Sequence, residues 1–489
     1  MIVLFNPWST SSAKKPLPMS LLALAGVLEG RHEYVIVDGN LESAPVARIA
    51  EIARRKGLTA IGVTVMPGPQ LNQAVPQTRA LKAALPEVPI VWGGYFPSLH
   101  DETCLADPAV DFVVRGQGEV TLLELLDVLK RGLDPGSVRS LSWKENGCFR
   151  RNPPRPLVPL DDLPDWPYES VPMERYLHSH YLGRRVGTHH SSYGCPFGCN
   201  FCAVVPMVNR RWLPQSPARV EQVLRLQHQR YGIDAVQFHD MDFFVSEART
   251  AELAERIAAM DLAWWALGRV DELMKYGDDT WRKMRESGLK MIFCGAESGS
   301  DEVLKRMNKG GKAAAGLTAE LARRMRSFGI VPEFSFVLGN PPDPAADVDA
   351  SLSFIRRLKK INPETEMVLY MYTPVPLEGT LYDEARALGF KFPDTLDEWV
   401  SGDWRHFSLR RDPHTPWLEE GLRRRVRNFE RVVNAYYPTV TDVRLSGLRR
   451  AVLRALGSWR YHLRLYAMPL ELRVFQRLVG YQRPETAGF

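Results

Sequence analysis

The chain has 489 residues, 45% hydrophobic and 25% charged, with a net charge of +6. That is the composition of an ordinary soluble protein, in a length that exceeds one hydrophobic core and predicts two or three domains. Six cysteines in so long a chain exclude a disulfide scaffold, no apolar run reaches the ~18 residues of a spanning helix, and the start, Met1-Ile-Val-Leu-Phe-Asn-Pro7, reads as a first strand and not as a secretion signal.

Residues 1–130 alternate short apolar runs with amphipathic stretches. Candidate strands are Ile2–Phe5, Tyr34–Val37, Ala60–Val65, Ile90–Trp92 and Phe112–Val114, and candidate helices are Met19–Leu28, Val46–Arg55, Leu71–Leu85 and Val120–Leu129. Buried strands alternating with helices predict an α/β fold, a doubly wound parallel sheet of Rossmann-like type. Ligands of such sheets bind beyond the carboxyl ends of the strands. Those ends carry Asp38-Gly39-Asn40, Thr64-Val65-Met66-Pro67-Gly68, Gly93-Gly94-Tyr95 and the run Gly116-Gln117-Gly118-Glu119. Glycine at these points lets a large flat ligand approach the backbone.

Residues 131–185, with Asn152-Pro-Pro-Arg-Pro156 and Leu163-Pro-Asp-Trp-Pro167, read as an extended linker. Strand–helix alternation resumes over 186–400, with strands at Gly187–Ser192, Ala235–Phe238, Trp264–Leu267, Met291–Phe293, Glu333–Leu338 and Met367–Met371. Six such units fit a partial TIM-like (β/α)6 barrel, whose function belongs at the carboxyl ends of its strands. Polar residues gather there: Asp240 and Asp242, Arg269 with Asp271, Glu297-Ser298-Gly299-Ser300, and Gly339-Asn340. Singly, Asp240, Asp242 and Glu297 are also good helix caps. As a repeated set at successive strand ends they point to a polar ligand site.

Between the first and second of these strands lies Cys195-Pro-Phe-Gly-Cys199-Asn-Phe-Cys202. Three thiolates can hold three irons of a four-iron cluster and leave the fourth open to a substrate or cofactor. A structural zinc ion wants four ligands, which His189 or His190 could complete. The ferredoxin pattern, with a fourth cysteine, is absent. Cys104, Cys148 and Cys294 are scattered and read as small buried side chains.

The last segment, 401–489, is basic and mostly helical in pattern, as at Leu448–Leu456 and Trp459–Tyr466. From Gly421 onward it holds fourteen arginines and no lysine against four acids. It reads as a helical cap with solvated or paired arginines, as a peripheral membrane contact, since Trp, Tyr and Leu beside Arg suit an interface, or as a nucleic-acid surface. No nucleic-acid module supports the last reading.

The motif C-x3-C-x-aromatic-C resembles the signature of the radical S-adenosylmethionine (SAM) superfamily. The resemblance implies a [4Fe-4S] cluster on Cys195, Cys199 and Cys202 whose open iron chelates SAM, cleavage of SAM to a 5′-deoxyadenosyl radical, and Phe201 against the adenine. Glu297-Ser298-Gly299-Ser300 with Asn308-Lys309, and Pro374-Val-Pro-Leu-Glu-Gly379-Thr380, are similar to segments of the cobalamin-dependent branch, the latter with a Leu-Glu insertion. Asp240 and Asp242 stand where relatives hold the SAM amino group, with Asp240 preferred. The N-terminal series VDGN, IGVTVMPG, VWGGYFPS and VDFVVRGQGE is similar to that branch's cobalamin-binding domain. The D-x-H-x-x-G motif that supplies an axial histidine is missing, which implies base-off cobalamin without a histidine ligand and with Met66 near its lower face.

By this resemblance the protein is a radical SAM methyltransferase that methylates an unactivated carbon of a small molecule, hydrophobic if the tail meets a membrane. It would be fed electrons by a flavodoxin or ferredoxin in the reducing cytoplasm. The alternatives are an oxidative cyclase using the same cofactors and a non-catalytic cobalamin sensor. A methylthiotransferase is disfavoured, because the N-terminal domain lacks its own cysteine trio.

Overall fold

Five short runs of Val, Ile, Leu and Phe, too short for helices and bounded by glycine or polar turns, form the first layer. The structure, a computed structural model, describes residues 1–309, 314–407, 415–441 and 445–478. Strands β1 (Ile2–Asn6), β2 (Tyr34–Asp38), β3 (Ala60–Thr64), β4 (Ile90–Gly93) and β5 (Phe112–Val114) lie parallel in the order β2-β1-β3-β4-β5. Helices Met19–Leu28 and Glu119–Arg131 cover one face and Pro45–Lys56 and Pro69–Ala84 the other, each with its own apolar cluster. This is the doubly wound sheet expected from the sequence.

The stretch read as an extended linker differs. It begins with a hairpin, β6 (Leu141–Glu145) and β7 (Cys148–Arg151), which adds to β5 antiparallel and widens the sheet to seven strands. Its turn is Asn146-Gly147, both with positive φ (49° and 77°), the dipeptide that two-residue hairpins demand. The charged flanks Lys144, Glu145, Arg150 and Arg151 concealed it as linker. Only after Pro153 does the chain run extended, through short turns, to the second sheet.

That sheet has six parallel strands in sequential order: β8 (Val186–His189), β11 (Ala235–Phe238), β12 (Ala263–Arg269), β13 (Leu289–Glu297), β14 (Val331–Leu338) and β15 (Glu366–Met371). The intervening β9 (Ser192–Gly194) and β10 (Trp212–Pro214) pair as a small antiparallel ribbon around the cysteine loop. Strand order without closure between β8 and β15 is the partial barrel expected. Alternate residues such as Phe238, Trp264, Ile292, Phe334 and Leu369 pack outward under the helices in one large core.

Two segments after β15 bind the molecule together. The aromatic stretch Phe390–Phe407 packs on the N-terminal sheet's core, where Phe390, Leu396, Trp399 and Phe407 join Phe5, Trp92 and Phe96. Helices Glu420–Tyr436, Gly447–Leu463 and Leu470–Leu478 place Val426, Phe429, Val433, Tyr461 and Leu472 in the barrel's own core. The C-terminal segment is thus helical, as expected, but it is a wall of the barrel and not a separate domain. Its last residues, 479–489, lie outside the described residues.

Candidate active site between two sheets

The loop from Cys195 to Cys202 is held by its neighbours and not by secondary structure of its own. Asn200 N–H donates to the Met307 carbonyl at 3.1 Å and its side chain to the Arg306 carbonyl at 2.6 Å, while Asn308 Nδ2 donates to the Gly198 carbonyl at 2.8 Å. Cys199 is buried and Cys195 and Cys202 are partly exposed, all three as free thiols. Burial pushes the thiols of Cys195 and Cys202 up, to about 12 and about 11, so an electropositive group must bind before they ionise.

No three Cys, His, Asp or Glu side chains among the described residues stand close enough to share one metal ion. A four-iron cube asks for something wider, with each thiol at its own corner. Of the two histidines that could complete a zinc site, His189 is engaged at both ring nitrogens, by the Tyr168 hydroxyl at 3.2 Å and by Gln215 Oε1 at 2.8 Å, and His190 joins no group of metal-ligand spacing among the described residues. The donor set therefore fits a cluster better than zinc.

Charges from four strand ends surround this loop. Arg269, ending β12, lies 3.8 Å over the Phe197 ring, donates to Cys199 Sγ at 3.2 Å and meets Asp271 with two hydrogen bonds of 3.0 and 2.9 Å. Glu297, ending β13, takes a left-handed conformation (φ 62°) where the strand register shifts, and forms a buried ion pair with Lys309. A non-glycine residue held there marks a place the surroundings over-determine, as functional sites often do. The Lys309 ammonium sits 5.7 Å from the Phe201 ring. Ser298 and Gly339 converge on Asp347, whose carboxylate accepts from Ser298 Oγ at 2.7 Å and from the Gly339 and Asn340 amides at 2.9 and 3.1 Å.

The two aspartates of β11 separate by environment. Asp240 accepts from Ser191 N–H at 3.0 Å, from Ser191 Oγ at 2.9 Å and from Ser192 Oγ, so both its oxygens are engaged. Asp242, 1% exposed, has Oδ2 3.9 Å from Cys195 Sγ and leaves Oδ1 buried without a partner. Burial pushes its carboxyl up to about 7. The sequence preference for Asp240 thus meets a structure in which Asp242 is the carboxyl with an unfilled position.

On the facing sheet, Asp38 is taken up structurally. It accepts from Asn6 Nδ2, the Asn40 amide and the Tyr176 hydroxyl at 2.8, 2.9 and 2.7 Å. Asn40 in turn anchors the Ser9 and Thr10 amides at 3.0 and 3.3 Å. Gly39 lies so close to the Trp8 amide that a Cβ would stand 2.8 Å from it. The ends of β3, β4 and β5 are different. Met66 is half exposed, and Thr64 Oγ1 meets Ser20 Oγ at 3.2 Å. Gly94 has φ 101°, and a Cβ there would press on Thr64 and Val65 at 3.2 Å. Gly93, Gly116, Gly118 and Glu119 line the next two turns, with burial pushing the Glu119 carboxyl up. A glycine ledge beside one exposed thioether fits a broad, flat, weakly polar ligand.

The two edges face each other. The short helix Tyr95–Leu99 packs against Val204–Val208, which follows the cysteine loop, and a Cβ on Gly116 would stand 3.5 Å from the Met207 carbonyl. Tyr95 is close enough to Cys202 to feel its charge, and Tyr193 to feel that of Glu119. The Tyr193 hydroxyl is buried with no partner. His239, exposed at the end of β11, lies near His190 at the end of β8. Neither imidazole has a hydrogen bond among the described residues, and burial holds the half-buried His190 down at about 4, hence neutral. Sequence reasoning did not place Tyr193 or Asp347 at the site, and it named His190 only as a residue that could complete a zinc site.

Comparison with known proteins agrees with both halves. The model of the B12 binding domain matches residues 10–126, and that of the radical SAM superfamily matches residues 190–355. An uncharacterized methyltransferase of Pyrococcus horikoshii is 30% identical over 73% of this chain and 78% of its own length. An anaerobic magnesium-protoporphyrin IX monomethyl ester cyclase of Synechocystis is 26% identical over 72% and 70%. Among solved structures, the radical SAM methyltransferase TsrM of Kitasatospora setae, with cobalamin and a [4Fe-4S] cluster bound, aligns with a TM-score of 0.62 at 19% identity, over 77% of this chain and 73% of that one. The cobalamin-dependent radical SAM enzyme OxsB, with aqua-cobalamin and SAM bound, aligns with a TM-score of 0.67 at 16% identity, over 98% and 75%. These two share the fold. The chain belongs to the radical SAM enzymes that carry an N-terminal B12-binding domain.

Proposed function

We propose that the chain is a cobalamin-dependent radical SAM methyltransferase that adds a methyl group to an unactivated carbon of a small molecule. One observation carries the reading: the glycine ledge at the ends of β3, β4 and β5 abuts the cysteine loop of the barrel, Tyr95–Leu99 against Val204–Val208. Two large cofactors seated on these edges would share one pocket. When bound, the cluster with SAM supplies a hydrogen-abstracting radical and the corrinoid supplies a methyl group, chemistry that side chains alone do not offer.

The chain's residues bind, orient and exclude water. Cys195, Cys199 and Cys202 would hold the cluster, with the Arg269 guanidinium over Phe197 and against Cys199 offsetting the thiolate charge. The free oxygen of Asp242 suits the SAM ammonium, the Glu297–Lys309 pair its polar end, and Phe201 its adenine. Asp240 positions Ser191 and Ser192, and Asp347 positions Ser298 and Gly339.

On the corrinoid side, Thr64, Met66, Gly93, Gly94, Gly116, Gly118 and Glu119 line the ledge, while Asp38, Gly39 and Asn40 fix its rim. His100 is caged by Phe96, Phe392 and Trp399, with ring centroids 5.0, 5.1 and 5.0 Å away. A caged His100 would not be free to act as a ligand, which supports base-off cobalamin held without a histidine ligand. Exposed Arg210, Arg211 and Lys305 flank the cysteine loop and suit an acidic one-electron donor of flavodoxin or ferredoxin type. Such a supply of electrons and an oxygen-sensitive cluster agree with the cytoplasm.

The similarity to anaerobic cyclases supports a second outcome, oxidation or ring closure without methyl transfer. The test is anaerobic turnover with methyl-labelled SAM and candidate substrates. Label in a product carbon together with 5′-deoxyadenosine bears out methyl transfer. A product without label favours the cyclase outcome, and absence of any SAM cleavage by reduced, iron-loaded protein defeats both.

A further inference from the structure

Thirteen large apolar side chains are exposed among the described residues, and nine of them fall between Leu448 and Leu478. They are ordered. In the helix Gly447–Leu463, Leu448, Val452, Trp459 and Leu463 follow helical spacing on one side, while Leu453, Gly457 and Tyr461 face the barrel from the other. In the helix Leu470–Leu478, Leu470, Val474 and Leu478 recur every four residues, opposite buried Leu472. Leu465 and Met468 fill the turn between the two helices. Leu478 is 80%, Leu448 77% and Met468 68% exposed. Both inner faces reach the same core, so both stripes look outward from one wall.

The charges beside the stripes have one sign. Residues 445–478 hold seven arginines and one acid, Glu471. Glu471 is consumed by the partly buried Arg460, and Arg473 donates to Asn428 at 3.1 Å. Arg449, Arg464 and Arg477 have no partner among the described residues. Leu and Met at the centre, Trp459 among them and unpaired arginines around them are the features of a helix pair lying in a lipid headgroup layer. They are not those of a water-facing surface, where an apolar patch of this extent is unusual.

We propose that the outer faces of Gly447–Leu463 and Leu470–Leu478 dock this protein on an anionic lipid surface. The docking stands on these two helices alone and does not depend on the catalytic reading. It has a consequence for that reading: an enzyme parked on a bilayer meets substrates that partition into it.

The test is co-sedimentation of the full-chain, iron- and corrinoid-loaded protein with phosphatidylcholine vesicles, with and without phosphatidylglycerol. Binding is expected only to the anionic vesicles and is expected to weaken with added salt. R449Q, R464Q and R477Q together should lower the partition coefficient by roughly a hundredfold. L448Q, L463Q and L478Q together should abolish binding while leaving the circular dichroism spectrum unchanged, since none of the three packs inward. Failure of the wild-type protein to bind anionic vesicles overturns the proposal. So does binding that ignores both triple variants, or a wild-type dimer in light scattering that the leucine variant converts to a monomer, since a second copy would then cover the stripes.

Discussion

The two parallel sheets use the same geometry for opposite kinds of recognition. The barrel's edge is charged and chemically specific: three thiols, Arg269, the Glu297–Lys309 pair and the unfilled oxygen of Asp242. The N-terminal edge carries little charge, for Asp38 is already engaged and what remains is glycine, Thr64, Met66 and Glu119, whose carboxyl burial pushes up toward the neutral form. One edge grips by electrostatics in a low-dielectric pocket; the other admits by shape. Each should therefore fail in its own way.

The largest effects are losses of one ligand with retention of the other. Replacing Cys195, Cys199 and Cys202 by Ala removes charge-matched donors and should abolish bound iron while corrinoid still binds, read by iron assay and visible absorption. Gly94→Val places a branched side chain where φ is 101° and where even a Cβ presses on Thr64 and Val65. Corrinoid should then be lost while iron remains. Should Gly94→Val leave corrinoid affinity intact, the ledge is not the seat. A chain ending at residue 407 should be insoluble, because it strips Val426, Phe429, Val433, Tyr461 and Leu472 from the barrel core.

The next effect tests the charged edge alone. Lys309→Met leaves Glu297 buried and unpaired, and such removals cost about 3–5 kcal/mol. The loss should show in the denaturant midpoint of the apo protein.

Nine of the eleven parallel strands were readable to within two residues, because continuous apolar runs at regular spacing leave little choice of conformation. Of the other two, β8 ends at His189, three residues before the expected Ser192, and β13 extends to Glu297, four residues beyond the apolar run that announced it. The Asn146-Gly147 hairpin was missed because its strands carry charges on an edge, where burial does not write a pattern. The cysteine loop was legible as a motif. The difference between Asp240 and Asp242 was not, since it depends on Ser191 and Ser192 folding back from a neighbouring strand. Nor was the aromatic clamp from Phe390 to Phe407, whose partners Phe96 and His100 lie some three hundred residues earlier, a distance that periodicity does not cross.

That clamp provides the smallest test, and it concerns what joins the two sheets. Burial among Phe96, Phe392 and Trp399 holds His100 down at about 4, with nearby Asp101 offsetting part of the effect. An unfolded histidine titrates near 6.5, so between these values the unfolded chain carries the extra proton and stability rises with pH. His100 therefore contributes its full share above about pH 6.5 and loses it as the pH falls toward 4, a change of at most about 3 kcal/mol. His100→Phe keeps the ring contacts and removes the proton site. The variant should match the wild type in urea midpoint at pH 7.5 and exceed it at pH 5. An equal acid loss in both proteins would place the acid sensitivity in other buried histidines, such as His189, and would leave the clamp as packing without a titrating member.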